Sequence, residues 1–159
     1  MGKRREGREA AVQFLYQFDV NRRPIAELLA DFWKLRSGPG KAEASAKTRA
    51  FTEELVKGVT AHSVEIDACI TKCTANYDLH RIAIVDRNIL RVGIYEMLHC
   101  ADVPPVVAIN EAIEVAKKFG SEESGRFVNG ILDRLRGELP RDARAAGSQK
   151  LEVRSQKID

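Results

Sequence analysis

Apolar residues recur at spacings of three and four along almost the whole chain, and nowhere does a convincing two-residue alternation replace them. That rhythm puts buried side chains on one face of an α-helix and leaves no material for a sheet. Ala11, Phe14, Leu15 and Phe18 set the first stripe. Pro24 can open a second helix, where its missing N–H costs nothing; its stripe is Ile25, Leu28, Leu29, Phe32 and Leu35, with Trp33 beside it. The segment 37–45 (SGPGKAEAS) has Gly and Pro but no large apolar residue, and is predicted as a loop. A long helical stretch is predicted over 48–77, with Phe51, Leu55, Val59, Ile66, Cys69, Ile70 and Cys73 inward and a kink at Gly58 or Ser63. A short helix over 79–84 and a longer one over 86–99, burying Ile89, Leu90, Ile94 and Leu98, come next.

Paired prolines at 104 and 105 break the pattern. The helix after them presents Ile109, Ala112, Ile113, Ala116 and Phe119, and Gly120 stands where it should stop. Ser121 is a good N-cap for the last helix, with Glu122 and Glu123 favourably placed against its dipole. Its inward face reads Phe127, Val128, Ile131 and Leu135. Residues 137–159 form a polar tail expected to be disordered. Helices of this length with mostly short links predict an all-α bundle.

The 159 residues suit one domain or two small subdomains sharing a core, and 44% hydrophobic with 31% charged residues is an ordinary globular balance. Three cysteines are too few for a disulfide framework, no apolar run is long enough for a membrane span, and the N-terminus lacks a signal-peptide block. A cytoplasmic protein without membrane attachment is the expectation. The net charge of +3 says little by itself, and its distribution matters more.

The sequence contains no Gly-rich phosphate loop and no nucleophile elbow. Cys69, Cys73 and the His99–Cys100 pair lack the paired Cys-x-x-Cys spacing of a metal site, and packing as small hydrophobes is the favoured reading. His62 and His80 are assigned ordinary polar roles. Glu111 and Glu114 are expected to form a charged outer face with Lys117 and Lys118. Asn110, inside an apolar rhythm, is expected to satisfy backbone groups at a helix contact. No catalytic residue, metal site or cofactor is predicted.

Two features remain. Lys3, Arg4, Arg5 and Arg8 crowd the lip of the first helix, where Arg5, Glu9, Gln13 and Tyr16 share a sector away from the apolar stripe. Cations beside a tyrosine and an amide suit single-stranded RNA, which asks for phosphate neutralisation, stacking and edge hydrogen bonds; a solvated helix end is the alternative. The second is AKKFGSEESGRFVNG (116–130), in which Lys117 and Lys118 precede a new helix N-terminus and Arg126 and Phe127 follow within two turns. Periodicity places Phe127 in the core.

The stretch PPVVAINEAIEVAKKFGSEESGRFVNGILDRLR (104–136), with REAAVQFLYQFD (8–19) and VDRNILRVGIYEML (85–98), resembles the NusB family of bacterial transcription antitermination factors. The resemblance implies an all-helical fold over 1–136, made of two three-helix subdomains packed at a steep angle. It also implies an RNA-binding adaptor without catalysis that pairs with NusE, a small-subunit ribosomal protein, to hold boxA RNA while polymerase transcribes ribosomal RNA operons. Carried over residue by residue, the RNA surface comprises Arg4, Arg5, Arg8, Gln13, Tyr16, Lys118, Glu123, Ser124, Arg126 and Phe127. The NusE surface comprises Asp86, Arg87 and Tyr95. Glu6 interrupts the basic run where the family often has another Arg. Some relatives self-associate and cover the RNA face, so a homodimer or a protein-interaction scaffold is the alternative. NusB-like domains also precede certain ribosomal RNA cytosine methyltransferases, but such an enzyme needs an α/β cofactor domain, and only a polar tail follows here.

Overall fold

The computed structural model describes residues 2–75 and 77–139. Seven α-helices and one 3-10 turn account for most of them, without a strand among the described residues. From position 140 onward the expected tail lies outside the described residues.

Helix α1 (Lys3–Val20) buries Ala11, Phe14 and Leu15 as its rhythm requires. Phe14 anchors the first helices, meeting Phe32 edge-to-face at 5.6 Å and Phe18 in a stack at 6.2 Å. In α2 (Ile25–Leu35) the stripe needs two corrections. Leu35 is exposed, because the helix ends there and the chain turns away. Trp33 is buried instead, since its indole N–H has a partner inside, donating to Glu53 at 2.8 Å. In the loop over 37–45, Gly38 and Gly40 take φ of 118° and 79°, values that side chains disfavour.

The long stretch predicted over 48–77 is two helices. Ser45 caps α3 (Ala46–Ala61) by accepting the Thr48 N–H at 3.1 Å. His62 leaves helical geometry, and α4 (Ser63–Cys73) starts in a new direction. The break falls between the two candidate kinks. Beyond α4, Ala75 at φ 56° reverses the chain, so the helix stops short of Tyr77. Of the short helix predicted over 79–84, only a 3-10 turn at Leu79–Arg81 forms, capped by Asp78.

Helix α5 (Ile84–His99) is buried on most sides through Ile89, Leu90, Val92, Ile94 and Met97. Pro105 opens α6 (Pro105–Phe119), and Ser121 caps α7 (Glu122–Glu138) by accepting the Ser124 N–H at 3.2 Å. Helix α7 thus continues past residue 136, the expected domain boundary. Helices α1, α2 and α3 form one three-helix group and α5, α6 and α7 the other, while α4 lies against α5 and α7. Contacts of α1 and α3 with α5 close the two groups into one core.

Buried charge crosses that seam. Arg8 of α1 forms a two-pronged pair with Glu96 of α5, both contacts 2.8 Å, with side chains only 6% and 1% exposed. At the other end of α1, Asp19 accepts from Arg91 at 2.7 Å and from Asn88 at 3.0 Å, and Arg91 reaches on to Asp67 of α4. Burial pushes the Asp19 carboxyl up, but the Arg91 charge and the Asn88 and Arg91 hydrogen bonds outweigh it and hold it below the ordinary value.

Candidate nucleic-acid and partner interface

The start of α1 lies far in sequence from α6, yet side-chain pairs tie the two together, and α7 follows α6 directly. Arg5 grips Glu111 of α6 with two hydrogen bonds of 2.8 and 2.9 Å. One turn on, Glu9 takes Lys118 at 3.0 Å. The Arg5 hydrogen bond pulls the Glu111 carboxyl below its ordinary value, and the Arg5 and Arg8 charges assist. Glu111 therefore pairs across to α1 rather than along its own helix. Glu114 stays on the outer face, 3.9 Å from Lys117, as expected. Gly120 joins α6 to α7; a Cβ there would press on the Ser124 side chain and the Ala116 carbonyl.

The expected RNA residues are not equally presented. Arg4 is exposed, 3.3 Å from Asp102 and 4.9 Å over the Phe51 ring. Gln13 accepts from Arg36 at 2.8 Å, and Tyr16 is exposed beside it. Those three residues line an open groove with Val12, Val85 and Phe119. Glu123 and Arg126 stand in solvent on the first turns of α7, and Arg126 has no ion-pair partner among the described residues. Phe127 corrects the apolar stripe: its ring is 37% exposed, because Val128 and Ile131 take the inward positions of that helix. Arg8 is a correction in the other sense. Its guanidinium is committed to Glu96 inside the protein and is not offered to a phosphate. Asn110 points to solvent and closes no helix contact.

The expected partner residues do not share a surface. Asp86, in the first turn of α5, receives the Ser124 hydroxyl at 3.5 Å and lines a second groove with Phe127, Tyr77 and Arg81. Burial raises its carboxyl above the usual range, and the Ser124 hydrogen bond offsets only part of that. Arg87 is buried, donating to the Leu79 carbonyl at 3.2 Å with Asp19 3.4 Å away. Tyr95, nine residues after Asp86, falls about half a turn round the helix. It packs on Gly58 and the rings of His62 and His99 instead. The two grooves meet at the start of α5, where Val85 lines one and Asp86 the other.

Burial raises all three thiols, Cys100 up to about 12. Packing, the favoured reading for them, agrees with that. Sequence reasoning missed a different group: Glu65 follows His62 by one helical turn, and His99 folds over both. The His62-x-x-Glu65 spacing was the available signal.

Fold and face define an all-α protein of two helical groups around a shared α5, with basic and aromatic side chains gathered at three helix ends. The NusB family model matches residues 5–136, and this chain belongs to the NusB family. It is 48% identical over 143 residues to the transcription antitermination protein NusB of Geobacter sulfurreducens, covering 88% of this chain and 98% of that protein. The Myxococcus xanthus protein of the same name is 45% identical over 135 residues, covering 85% and 95%. Among solved structures, NusB of T. maritima superposes with a TM-score of 0.74 at 34% identity over 88% of this chain and 95% of that one. A chain from a complex of antitermination factors NusB and NusE with double-stranded RNA gives 0.75 at 26% identity, over 87% and 99%. No helix among the described residues is long and apolar enough to cross a membrane.

Proposed function

We propose that this chain is a non-catalytic transcription antitermination factor that, with NusE, binds boxA-type single-stranded RNA while polymerase transcribes ribosomal RNA operons. The observation that carries the reading is the joining of α1 to α6 through the Arg5–Glu111 and Lys118–Glu9 pairs, with α7 packed on α6 beyond the turn at Gly120. Arg126 and the half-exposed Phe127 ring stand on the edge of that face. A cation beside an aromatic ring at a helix N-terminus supplies phosphate attraction and base stacking together. Arg4, Arg5, Gln13, Tyr16, Lys118, Glu123 and Ser124 complete the RNA face, and Asp86 begins the NusE surface next to it. The paired state of Arg5 and Lys118 leaves few uncommitted cations, so the chain alone holds RNA weakly. A preformed heterodimer adds NusE's phosphate contacts on the same strand and raises effective concentration, worth roughly 10²–10⁴ in avidity.

The test is a salt-dependent titration of boxA-type RNA, single-stranded and as a duplex, with and without NusE. Arg126→Ala should flatten the log–log salt slope on the single strand by about 0.7, the share of one phosphate contact. Phe127→Ala should weaken RNA binding by about 1–3 kcal/mol through lost stacking. Asp86→Lys should weaken the heterodimer and, with it, RNA retention. A wild type that binds no NusE would overturn the adaptor reading, and an unchanged slope would remove Arg126 from the phosphate contacts.

A further inference from the structure

About 20 Å along α5 from Asp86, at the opposite end of that helix, three side chains meet that the RNA face does not use. His62 ends α3 and opens α4, Glu65 lies one turn further on, and His99 is the last residue of α5. The two imidazole rings stack with centroids 3.8 Å apart and planes 21° from parallel. Glu65 Oε1 sits 2.7 Å from His99 Nε2 and 3.8 Å from His62 Nδ1. One ligand atom from each residue lies within 4.8 Å of the other two. The Tyr95 ring stacks on the His99 imidazole at 5.6 Å and walls the cluster on its inner side.

We propose that His62, Glu65 and His99 form a binding site for a divalent transition metal ion of the zinc class, with water completing four-coordination. Zinc holds imidazole nitrogen and carboxylate oxygen at about 2.0–2.2 Å, which sets tetrahedral ligand atoms roughly 3.3 Å apart. The separations of 2.7 and 3.8 Å straddle that value. The side chains are 41%, 52% and 27% exposed for His62, Glu65 and His99, so an ion can reach them and they can adjust. Two nitrogen ligands out of three select against magnesium and calcium, which prefer oxygen. The nitrogen lone pairs lie in the ring planes, so in the stack they run nearly parallel, and binding turns one of these exposed rings out of the stack until both neutral imidazoles converge on the ion. A bound ion would clamp the α3–α4 corner to the end of α5.

The experiment is a calorimetric titration of the full chain, free of any polyhistidine tag, with zinc chloride, repeated with cobalt(II) to read tetrahedral absorption. One ion per chain is expected, together with a zinc-dependent rise in melting temperature. His62→Ala and His99→Ala should each weaken zinc binding by more than about tenfold, the least that even outer-shell changes cost. Both should abolish the melting shift while leaving the metal-free melting temperature near that of the wild type. A Cys69→Ser, Cys73→Ser double variant should bind zinc like the wild type. Absence of stoichiometric binding, or wild-type binding in the His62→Ala, His99→Ala double variant, would overturn the site.

Discussion

Asp19 and Asp86 are both carboxylates that folding withdraws from solvent, and their neighbours give them opposite consequences. Asp19 is held below its ordinary value of 3.8 because arginines and Asn88 outweigh its burial. Its contribution to stability is therefore present above the unfolded value and lost as pH falls through the lower folded one. Asp86 forms no ion pair among the described residues and is raised by burial, so its ionised form costs stability at neutral pH. That cost vanishes below the unfolded value, where both states are protonated. Asp19→Asn should lower the melting temperature at pH 7 and Asp86→Asn should raise it, with both differences shrinking below about pH 4. Melts of the two variants across pH 3–7 check the signs; a destabilised Asp86→Asn at neutral pH would refute the account of that carboxyl. Arg8 belongs to the same scale. Removing it leaves Glu96 buried and unpaired, so Arg8→Ala should cost about 3–5 kcal/mol in urea unfolding. Loss of RNA binding in that variant would then report unfolding rather than a lost phosphate contact.

Between elements, the close approaches are set by absent side chains. At Gly58 a Cβ would run into the Tyr95 ring, and at Gly7 it would lie 2.6 Å from the Phe51 ring. These two contacts bring α3 against α5 and against α1. Gly58→Ala should therefore destabilise by about 1–3 kcal/mol through overpacking, despite the better helix propensity of alanine. Tyr95→Ala in the same background should recover part of that loss, because the clash has gone; additive losses in a double-mutant cycle would contradict the contact. Ser121 acts at the same scale. Ser121→Ala removes the N-cap of α7, at a cost of about 0.5–2 kcal/mol, and loosens the turn that presents Arg126 and Phe127. It should weaken RNA binding without removing any group that touches RNA, measurable beside Phe127→Ala in the same titration.

Over the whole molecule, α5 belongs to both helical groups, and buried pairs from Arg8 and Asp19 tie α1 to it at both ends. Neither group can separate without exposing Leu90 and Ile94 and uncoupling those charges. The chain should unfold as one unit. Trp33 is the only tryptophan and lies in the α1–α3 group, whereas circular dichroism reports all seven helices. The two signals should share one midpoint in urea, and a Trp33 transition that comes first would show the groups to be separable.

Helix existence, the cap at Ser121, the break at Pro104 and Pro105, and most of the core were legible because they depend on spacing within one segment. So was membership of the NusB family, which rests on an ordered run of residues such as VAINEA and FVNG. Where two segments meet was not legible. Local periodicity assigns Phe127 inward, and only the packing of α7, with Val128 and Ile131 taking the inward positions, leaves its ring half in solvent. Arg8 and Arg5 read alike in the opening cluster, yet Glu96 draws one into the core and Glu111 holds the other at the surface. His62, Glu65 and His99 come together only through the turn at His62 and the lie of α5. The sequence by itself determined the helices and the family, since both are written in short-range order. The tertiary structure decided which charges are buried, which ring is offered and which imidazoles stack, because partners 34 to 109 residues apart cannot be read from one segment.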